Sequence, residues 1–340
     1  MRSTRIRLRR ARTVLMSVLL LGAIAAPAHA APWGPWQGRA ALGGELSTTS
    51  FGIFDLGLRK GPLSIELLTD TLDIHFSPSL RSGRIWIGLR VETFAAGLMI
   101  SPWTDGAPDP SRAWNAGYGG IDGGWQHYLP AHFYVGLQGS ARAYLFWARE
   151  STTVTPPGLT PVFSAEAVIG HYTEESHIQL RAGGDAELDR IAPHVYAEAS
   201  LRPNWAIAPR IELRAGWAMN QDAILRTRLG GLNPYVVPLA GAAWAEFWVE
   251  NYVALRAGPS LRTALPGRGP HSLELALVGD VVGFDGRTEV GFAALSTWKY
   301  RRLFLNTSLG WAPWLPRQGN VPAIAGFLLF GADWGAFFRL

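Results

Sequence analysis

No cysteine occurs in the 340 residues. That absence excludes a disulfide framework, a thiolate zinc site and a cysteine nucleophile. Long apolar runs are missing too: beyond residue 26 no stretch of about 18 consecutive apolar residues could cross a bilayer as a helix. Phosphate-cradling glycine loops, dinucleotide fingerprints and clustered basic patches are absent, which removes the usual signatures of nucleotide chemistry and nucleic-acid binding. The formal charge of +5 does not restore them. Of the 31 Lys and Arg, six precede residue 31 and no acidic residue does, which leaves 25 basic residues against 26 acidic ones. The basic character belongs to one end of the chain.

That end reads as a secretory signal. Arg2, Arg5, Arg7, Arg9, Arg10 and Arg12 precede an apolar run from Val14 to Ala26, and Ala28-His29-Ala30 supplies a small-x-small cleavage motif. The run is shorter than the ~20 residues a membrane anchor needs. Residues 1–30 are therefore predicted to be cleaved on export, and residues 31–340, which hold no linker, charge block or fixed-period repeat, to form one domain.

The rest of the chain alternates between apolar and polar residues. From His177 to Leu188, Ile178, Leu180, Ala182, Gly184, Ala186 and Leu188 share one face, while Gln179, Arg181, Asp185 and Glu187 share the other. The same period of two runs through Phe133–Trp147, Val195–Leu201, Arg210–Trp217, Leu273–Val281 and Leu303–Trp311. A helical period would put the charges on the apolar face, so these segments are strands. A barrel strand shows lipid only every second side chain, which lets a membrane protein keep a mean hydropathy of only +0.08. Fifteen tryptophans, many at the ends of alternating runs (Trp103, Trp125, Trp147, Trp205, Trp217, Trp298, Trp311), suit aromatic girdles at the two interfaces. Turn signals punctuate the runs at Lys60-Gly61-Pro62, Leu129-Pro130-Ala131, Arg202-Pro203-Asn204 and Phe284-Asp285-Gly286.

The fold expected is all-β: a transmembrane, antiparallel, up-and-down β-barrel of about 14–16 strands. A count of 16 segments has the even parity that periplasmic termini require. It nevertheless places the longest breaks, Ser101–Ala113, Arg149–Thr160 and Asn220–Val237, on the periplasmic side, where short turns belong. The division of Leu63–Ile100 and of Val321–Leu340 is where the count is expected to need revision.

The chain ends Asp333-Trp334-Gly335-Ala336-Phe337-Phe338-Arg339-Leu340. Asp333, Gly335, Phe338 and Leu340 resemble the C-terminal signal by which Gram-negative outer-membrane barrels are recognised for assembly, with Leu340 standing where that signal usually ends in an aromatic residue. The resemblance implies an outer-membrane location, export and barrel-assembly machinery as transient partners, and contact with outer-membrane lipid and lipopolysaccharide.

Charges recur on the polar phase of the strands: Glu66, Arg90, Glu92, Arg142, Glu166, Arg181, Asp185, Glu187, Glu198, Arg210, Glu212, Arg214, Arg256, Glu274, Asp280 and Glu289. Each would cost about 2–4 kcal/mol facing lipid near the midplane, so that phase is expected to face the lumen. Any one of these charges could serve an internal ion pair or a selecting wall; with both signs mixed, strong ion selectivity is not implied. A second polar cluster, His171-Tyr172-Thr173-Glu174-Glu175-Ser176-His177, offers a Ser/His pair or a His/Glu metal site on paper. It sits where two alternating runs meet, which favours a polar hairpin turn. No cofactor or metal site is expected from the sequence.

The stretch Arg228-Leu229-Gly230-Gly231-Leu232 precedes an alternating run containing Glu246. It resembles the Arg-x-Gly-Gly start of the lumen-inserted loop in the assembly and secretion barrels of the surface-antigen superfamily. Asn233-Pro234-Tyr235 replaces the Arg-Gly-aromatic core of that loop, and alternation begins almost directly after Ala31, where the family's periplasmic repeats would lie. Composition and periodicity favour a passive pore with a mixed-charge lumen. A structural, assembly or surface-binding barrel is the alternative, and a lipid- or lipopolysaccharide-modifying enzyme a more distant one.

Overall fold

A computed structural model describes residues 35–47, 51–69, 71–80, 82–92, 98–100, 103–104, 107–149, 152–153, 155–156, 158–222, 225–232, 236–266, 269–317 and 322–334. Its wall is made of antiparallel strands in chain order: β1 Gln37–Leu46, β2 Phe51–Lys60, β3 Leu63–Leu68, β4 Thr71–Phe76, β5 Gly83–Glu92, β6 Trp114–Tyr128, β7 Phe133–Ala148 and β8 Leu159–Tyr172. It continues with β9 Ser176–Ala186, β10 Ile191–Leu201, β11 Ile207–Ala218, β12 Tyr252–Ala264, β13 His271–Phe284, β14 Arg287–Tyr300, β15 Leu303–Ala312 and β16 Ala323–Trp334. Each pairs with the next, and β1 pairs with β16 from Gly38↔Trp334 to Leu46↔Gly326, which closes a 16-stranded barrel. Closure leaves no free edge to recruit other chains.

The period of two decides which way each side chain points. Leu137, Ile169, Leu180, Leu213, Leu277 and Leu309 lie on the outer surface, each at least 42% exposed. So much contiguous exposed apolar surface suits lipid rather than water. Trp125, Trp147, Trp205, Trp217 and Trp311 stand exposed with them; the side chain of Trp103 lies outside the described residues. The opposite phase points inward.

The count of 16 stands, but the sidedness read from the sequence does not. The strands that flank the three longest breaks end at Glu92, Ala148 and Ala218 and resume at Trp114, Leu159 and Tyr252, all at the end of the barrel opposite Gln37 and Trp334. The region Leu63–Ile100 supplies three wall strands, with Leu98–Ile100 prolonging the line of β5 beside β6. Two of the three, β3 and β4, are only 6 residues long, too short for an eight-residue alternation to show. At ~3.3 Å per residue and a tilt of about 45°, six residues rise roughly 14 Å, which makes the wall low at this point. Of the final segment, the described part is a single strand, β16.

Candidate functional site

The connection between β11 and β12 does not stay at the rim. Its described part, 219–222, 225–232 and 236–251, turns into the barrel, with Leu229, Leu239, Ala240, Ala242 and Ala243 fully buried. Thr227–Leu229 and Phe247–Val249 pair as a short hairpin, and single bridges join Leu229 to Val237 and Gly231 to Leu239; the run containing Glu246, read from the sequence as alternating, forms no wall strand. Small residues explain the difference. Gly230 and Gly231 take φ of +112° and +99°, a region unfavourable to side chains. Gly241 (φ +82°) lies so close to the wall that a Cβ there would sit 2.2 Å from the Ala312 nitrogen.

The wall is shaped to receive the loop. Where β12–β16 and β1–β2 face inward they present Ala254, Val282, Val278, Ala276, Ala293, Ala325, Phe327, Leu329, Ala41 and Ile53, which pack with Leu229, Leu232, Val237, Leu239 and Ala240 of the loop. Gly291 and Gly310 leave the necessary space, since a Cβ at Gly291 would lie 2.4 Å from the Ala240 oxygen.

Three polar anchors cross this apolar contact. Arg317, in the β15–β16 connection, grips Glu246 of the loop with Nη1–Oε1 at 2.5 Å and Nη2–Oε2 at 2.7 Å, and both side chains are at most 3% exposed. Burial raises the Glu246 carboxyl above its usual range, with Arg317 and the Ala243 amide pulling it back. Asp280 accepts from the Ala240 amide at 2.7 Å while Arg256 donates to both its oxygens at 2.6 and 2.7 Å. Glu45 of β1 accepts from the Leu232 amide at 3.2 Å. Neither Glu45 nor Arg317 carried a sequence signal: one lies in β1, where glycines and alanines blur the alternation, the other in a turn region.

The remaining inward wall, β3–β11, is charged and wetter. Arg90 binds Asp73 bidentately at 2.5–2.9 Å. Arg142 lies 5.7 Å from the Tyr118 ring. Glu166 meets Arg181 at 3.7 Å, and Arg181 also covers the Tyr196 ring. His194, 3% exposed, is held between Glu166 at 2.8 Å and Asp185 at 3.2 Å. Hence Asp185 pairs with His194 and Ser164 rather than with Arg181. Glu187 lies in the β9–β10 turn, its amide donating to the Arg190 carbonyl. Glu198 faces His177 at 3.6 Å, Arg210 binds Glu212 at 2.8 Å, and Arg214 donates to the Val236 carbonyl at 3.2 Å. Charge continues past this wall at the end where β1 begins: there Glu274 of β13 takes both Arg202, just after β10, and Arg262, near the end of β12. Glu289 is buried on the loop-covered side, and Glu92 lines a cavity with Tyr118 and Arg228. His194 was legible: it shares the polar phase of its strand with Glu198.

Three cavities border the charged side, and the first also reaches beneath the loop across β12–β16 and β1. One of about 820 Å³ lies toward the termini and is bounded by Arg39, Glu198, Arg210 and Asp333. One of about 450 Å³ shares Glu198, Arg214 and Val236 with it. A third, of about 490 Å³, shares Arg181, Tyr144 and Tyr196 with the second.

The 171–177 cluster is a hairpin turn. His171 points outward with Phe133, whose ring is 4.8 Å away, whereas His177 points inward and contacts Tyr134 at 3.3 Å. The Ser176 hydroxyl bonds Thr173 at 2.8 Å, and the segment assembles neither a Ser/His pair nor a metal site. Of the terminal signal, Asp333 lies 3.9 Å from Arg39, while Gly335, Phe338 and Leu340 fall outside the described residues, as do residues 1–30 and Asn233-Pro234-Tyr235.

No protein-family model matches the chain, and no curated protein matches it. Among solved structures it is similar to CdiB from Acinetobacter baumannii, at 9% identity and a TM-score of 0.62, over 88% of this chain and 60% of that one. CdiB from Escherichia coli gives 14% identity and 0.62 over 90% and 64%. BamA from Haemophilus ducreyi lacking POTRA domains 1–3 gives 11% and 0.61 over 88% and 70%. The chain thus spans about 60 to 70% of the length of these proteins. At such identities the likeness is one of architecture: this chain shares the barrel fold of CdiB and BamA.

Proposed function

We propose that this chain is an outer-membrane pore throttled by its own 219–251 loop, with passage confined to the charged side of the lumen. The observation that carries the reading is the division of the inner wall. The loop covers the apolar half through buried anchors, and cavities that share lining residues remain beside the half lined by Arg90, Arg142, Glu166, Arg181, Glu198, Arg210, Glu212 and Arg214, the one of about 820 Å³ also reaching under the loop. Both signs alternate along that half, which supports passage of small polar solutes without strong ion preference. Residues 1–30 act on this reading as the export signal. Gly335, Phe338 and Leu340 act as the assembly signal, so replacing Phe338 and Leu340 with polar residues lowers the yield of heat-modifiable barrel. Lipid and lipopolysaccharide are the contacts of the outer surface.

Planar-bilayer recording tests the pore. The intact protein is expected to show small conductance, and a variant with residues 225–249 replaced by a short glycine linker a several-fold larger one. Equal conductance of the two folded proteins, or none in either, would refute it. A second reading, an assembly or secretion barrel, is favoured by Arg228-Leu229-Gly230-Gly231 lying on a loop that enters the lumen. It predicts that deleting the protein depletes particular exported or outer-membrane proteins even when no current flows.

A further inference from the structure

On the charged wall, three strands bring together a group that the pore reading does not use. His75 of β4, Gly88 of β5 and Asp122 of β6 lie in one register row, His75↔Gly88↔Asp122. Residues two strands apart stand roughly 10 Å from backbone to backbone, and an intervening side chain would normally separate them. Here the middle residue has none. A Cβ at Gly88 would fall 2.0 Å from His75 Cδ2 and 2.8 Å from Asp122 Oδ1. The glycine therefore lets the imidazole and the carboxylate meet above β5, with His75 Nε2 at 3.4 Å from Asp122 Oδ1. Asp73, two residues before His75 and so on the same face, brings its Oδ1 to 3.7 Å from the same nitrogen.

We propose that Asp73, His75 and Asp122 bind a divalent transition-metal ion, zinc being the ion that fits best. The three ligand atoms all lie within 4.8 Å of one another. Bonds of about 2.0–2.2 Å in tetrahedral array place ligand atoms about 3.3–3.6 Å apart, close to the separations seen from His75. One imidazole and two carboxylates suit such an ion, leaving the fourth position for water. Arg90 is the partner that fixes the Asp73 carboxylate, through Nε and Nη2. That is the kind of outer hydrogen bond that orients metal ligands. Its positive charge lowers affinity without removing it, because Glu66 stands opposite Asp73 in the register and adds a compensating negative one. The side chains of His75 and Asp122 are 30% and 24% exposed, so an ion can enter from the lumen.

Titration calorimetry of the full folded chain in detergent, with zinc chloride as the only added metal, tests the site. One saturable equivalent is expected, weakened at least tenfold in His75→Gln and in Asp122→Asn and unaltered in His177→Gln. Zinc should also protect His75, and not His177, from carbethoxylation in the wild-type protein, which decides the matter if the variants fail to give a heat-modifiable band. The absence of a saturable equivalent, unchanged affinity in both variants, or unprotected His75 at saturating zinc would overturn the proposal and leave the group an ion-pair cluster.

Discussion

Arg317→Gln is the sharpest perturbation of the loop, because it removes one partner of a buried, bidentate pair and leaves the other in place. Both oxygens of Glu246 are held by Arg317, and neither side chain is more than 3% exposed. Breaking such a pair costs about 3–5 kcal/mol, most of it the penalty of an uncompensated buried charge. About 3 kcal/mol corresponds to a roughly hundredfold shift between docked and released loop. The double variant Arg317→Met/Glu246→Leu removes both charges and should recover most of the loss. Reversible unfolding in lipid vesicles measures the stability, and bilayer recording measures the release. A single-variant penalty below about 1 kcal/mol, or a double variant no better than the single, would show that the pair does not latch the loop.

The same variant should respond to pH. Burial already holds the Glu246 carboxyl above its usual value, and removing Arg317 takes away the largest influence opposing that rise. An acid whose pKa is higher in the folded state than in the unfolded one gains a proton on folding, so acid favours the folded form. The Arg317→Gln penalty is therefore full at pH above the raised folded value and shrinks as pH falls through it, by up to about 1.4 kcal/mol for each unit of separation between the folded and unfolded values. A penalty that grew on acidification would contradict the reasoning.

Three further outcomes concern the wall. Leu180→Arg puts a charge on the outer surface and should cost about 2–4 kcal/mol in vesicle unfolding; its neighbour Arg181→Leu should cost under about 1 kcal/mol, because its 3.7 Å pair with Glu166 is partly exposed and Glu166 keeps His194 and Gln138. Equal penalties would mean that both faces are packed in protein. His194→Leu leaves Glu166 and Asp185 facing each other without the imidazole and should destabilise the barrel by about 3 kcal/mol at neutral pH; a neutral effect in vesicle unfolding would show that water already satisfies both carboxylates. Gly291→Leu fills the space occupied by the Ala240 carbonyl and should raise conductance while leaving the wall folded; unchanged conductance in a heat-modifiable variant would disprove the docking contact.

How much of this was legible depended on strand length and on the surroundings of each inward residue. Strands of ten or more residues, such as β7, β9 and β13, showed their period plainly because lipid imposes an apolar residue at every second place. The pair β3 and β4 did not, since six residues hold only three repeats of the pattern, and reading the two as one strand reverses the side of every later loop. The run containing Glu246, read as alternating, erred in the opposite sense. Its alternation comes from small residues meeting an apolar inner wall rather than lipid, and no rule of period distinguishes the two environments. The contacts of Glu45, Arg317 and Asp122 were illegible for another reason. Each joins residues far apart in sequence: insertion of the loop brings Glu45 and Arg317 to their partners, and the pairing of β4, β5 and β6 brings Asp122 to His75.

The fate of the inward charges separates the two halves of the lumen. On the loop-covered half, Asp280 is fully buried and is met by Arg256 together with a loop amide, and Glu246 by Arg317 together with a loop amide. Those carboxylates could not stay charged in an apolar setting without such partners. On the open half, Glu198 faces His177 at the longer distance of 3.6 Å, and the Arg181 side chain keeps 36% of its surface exposed, a state that only water can sustain. Arg228, conspicuous in the sequence, lies at the boundary: its guanidinium stacks 4.6 Å from the Trp248 ring within the loop's own hairpin. Its contact stiffens the hairpin through a cation–π interaction, while anchorage falls to Glu246, Ala240, Leu232 and Val236. Release of a loop so tied would require its contacts with Arg317, Asp280, Glu45 and Arg214 to break together.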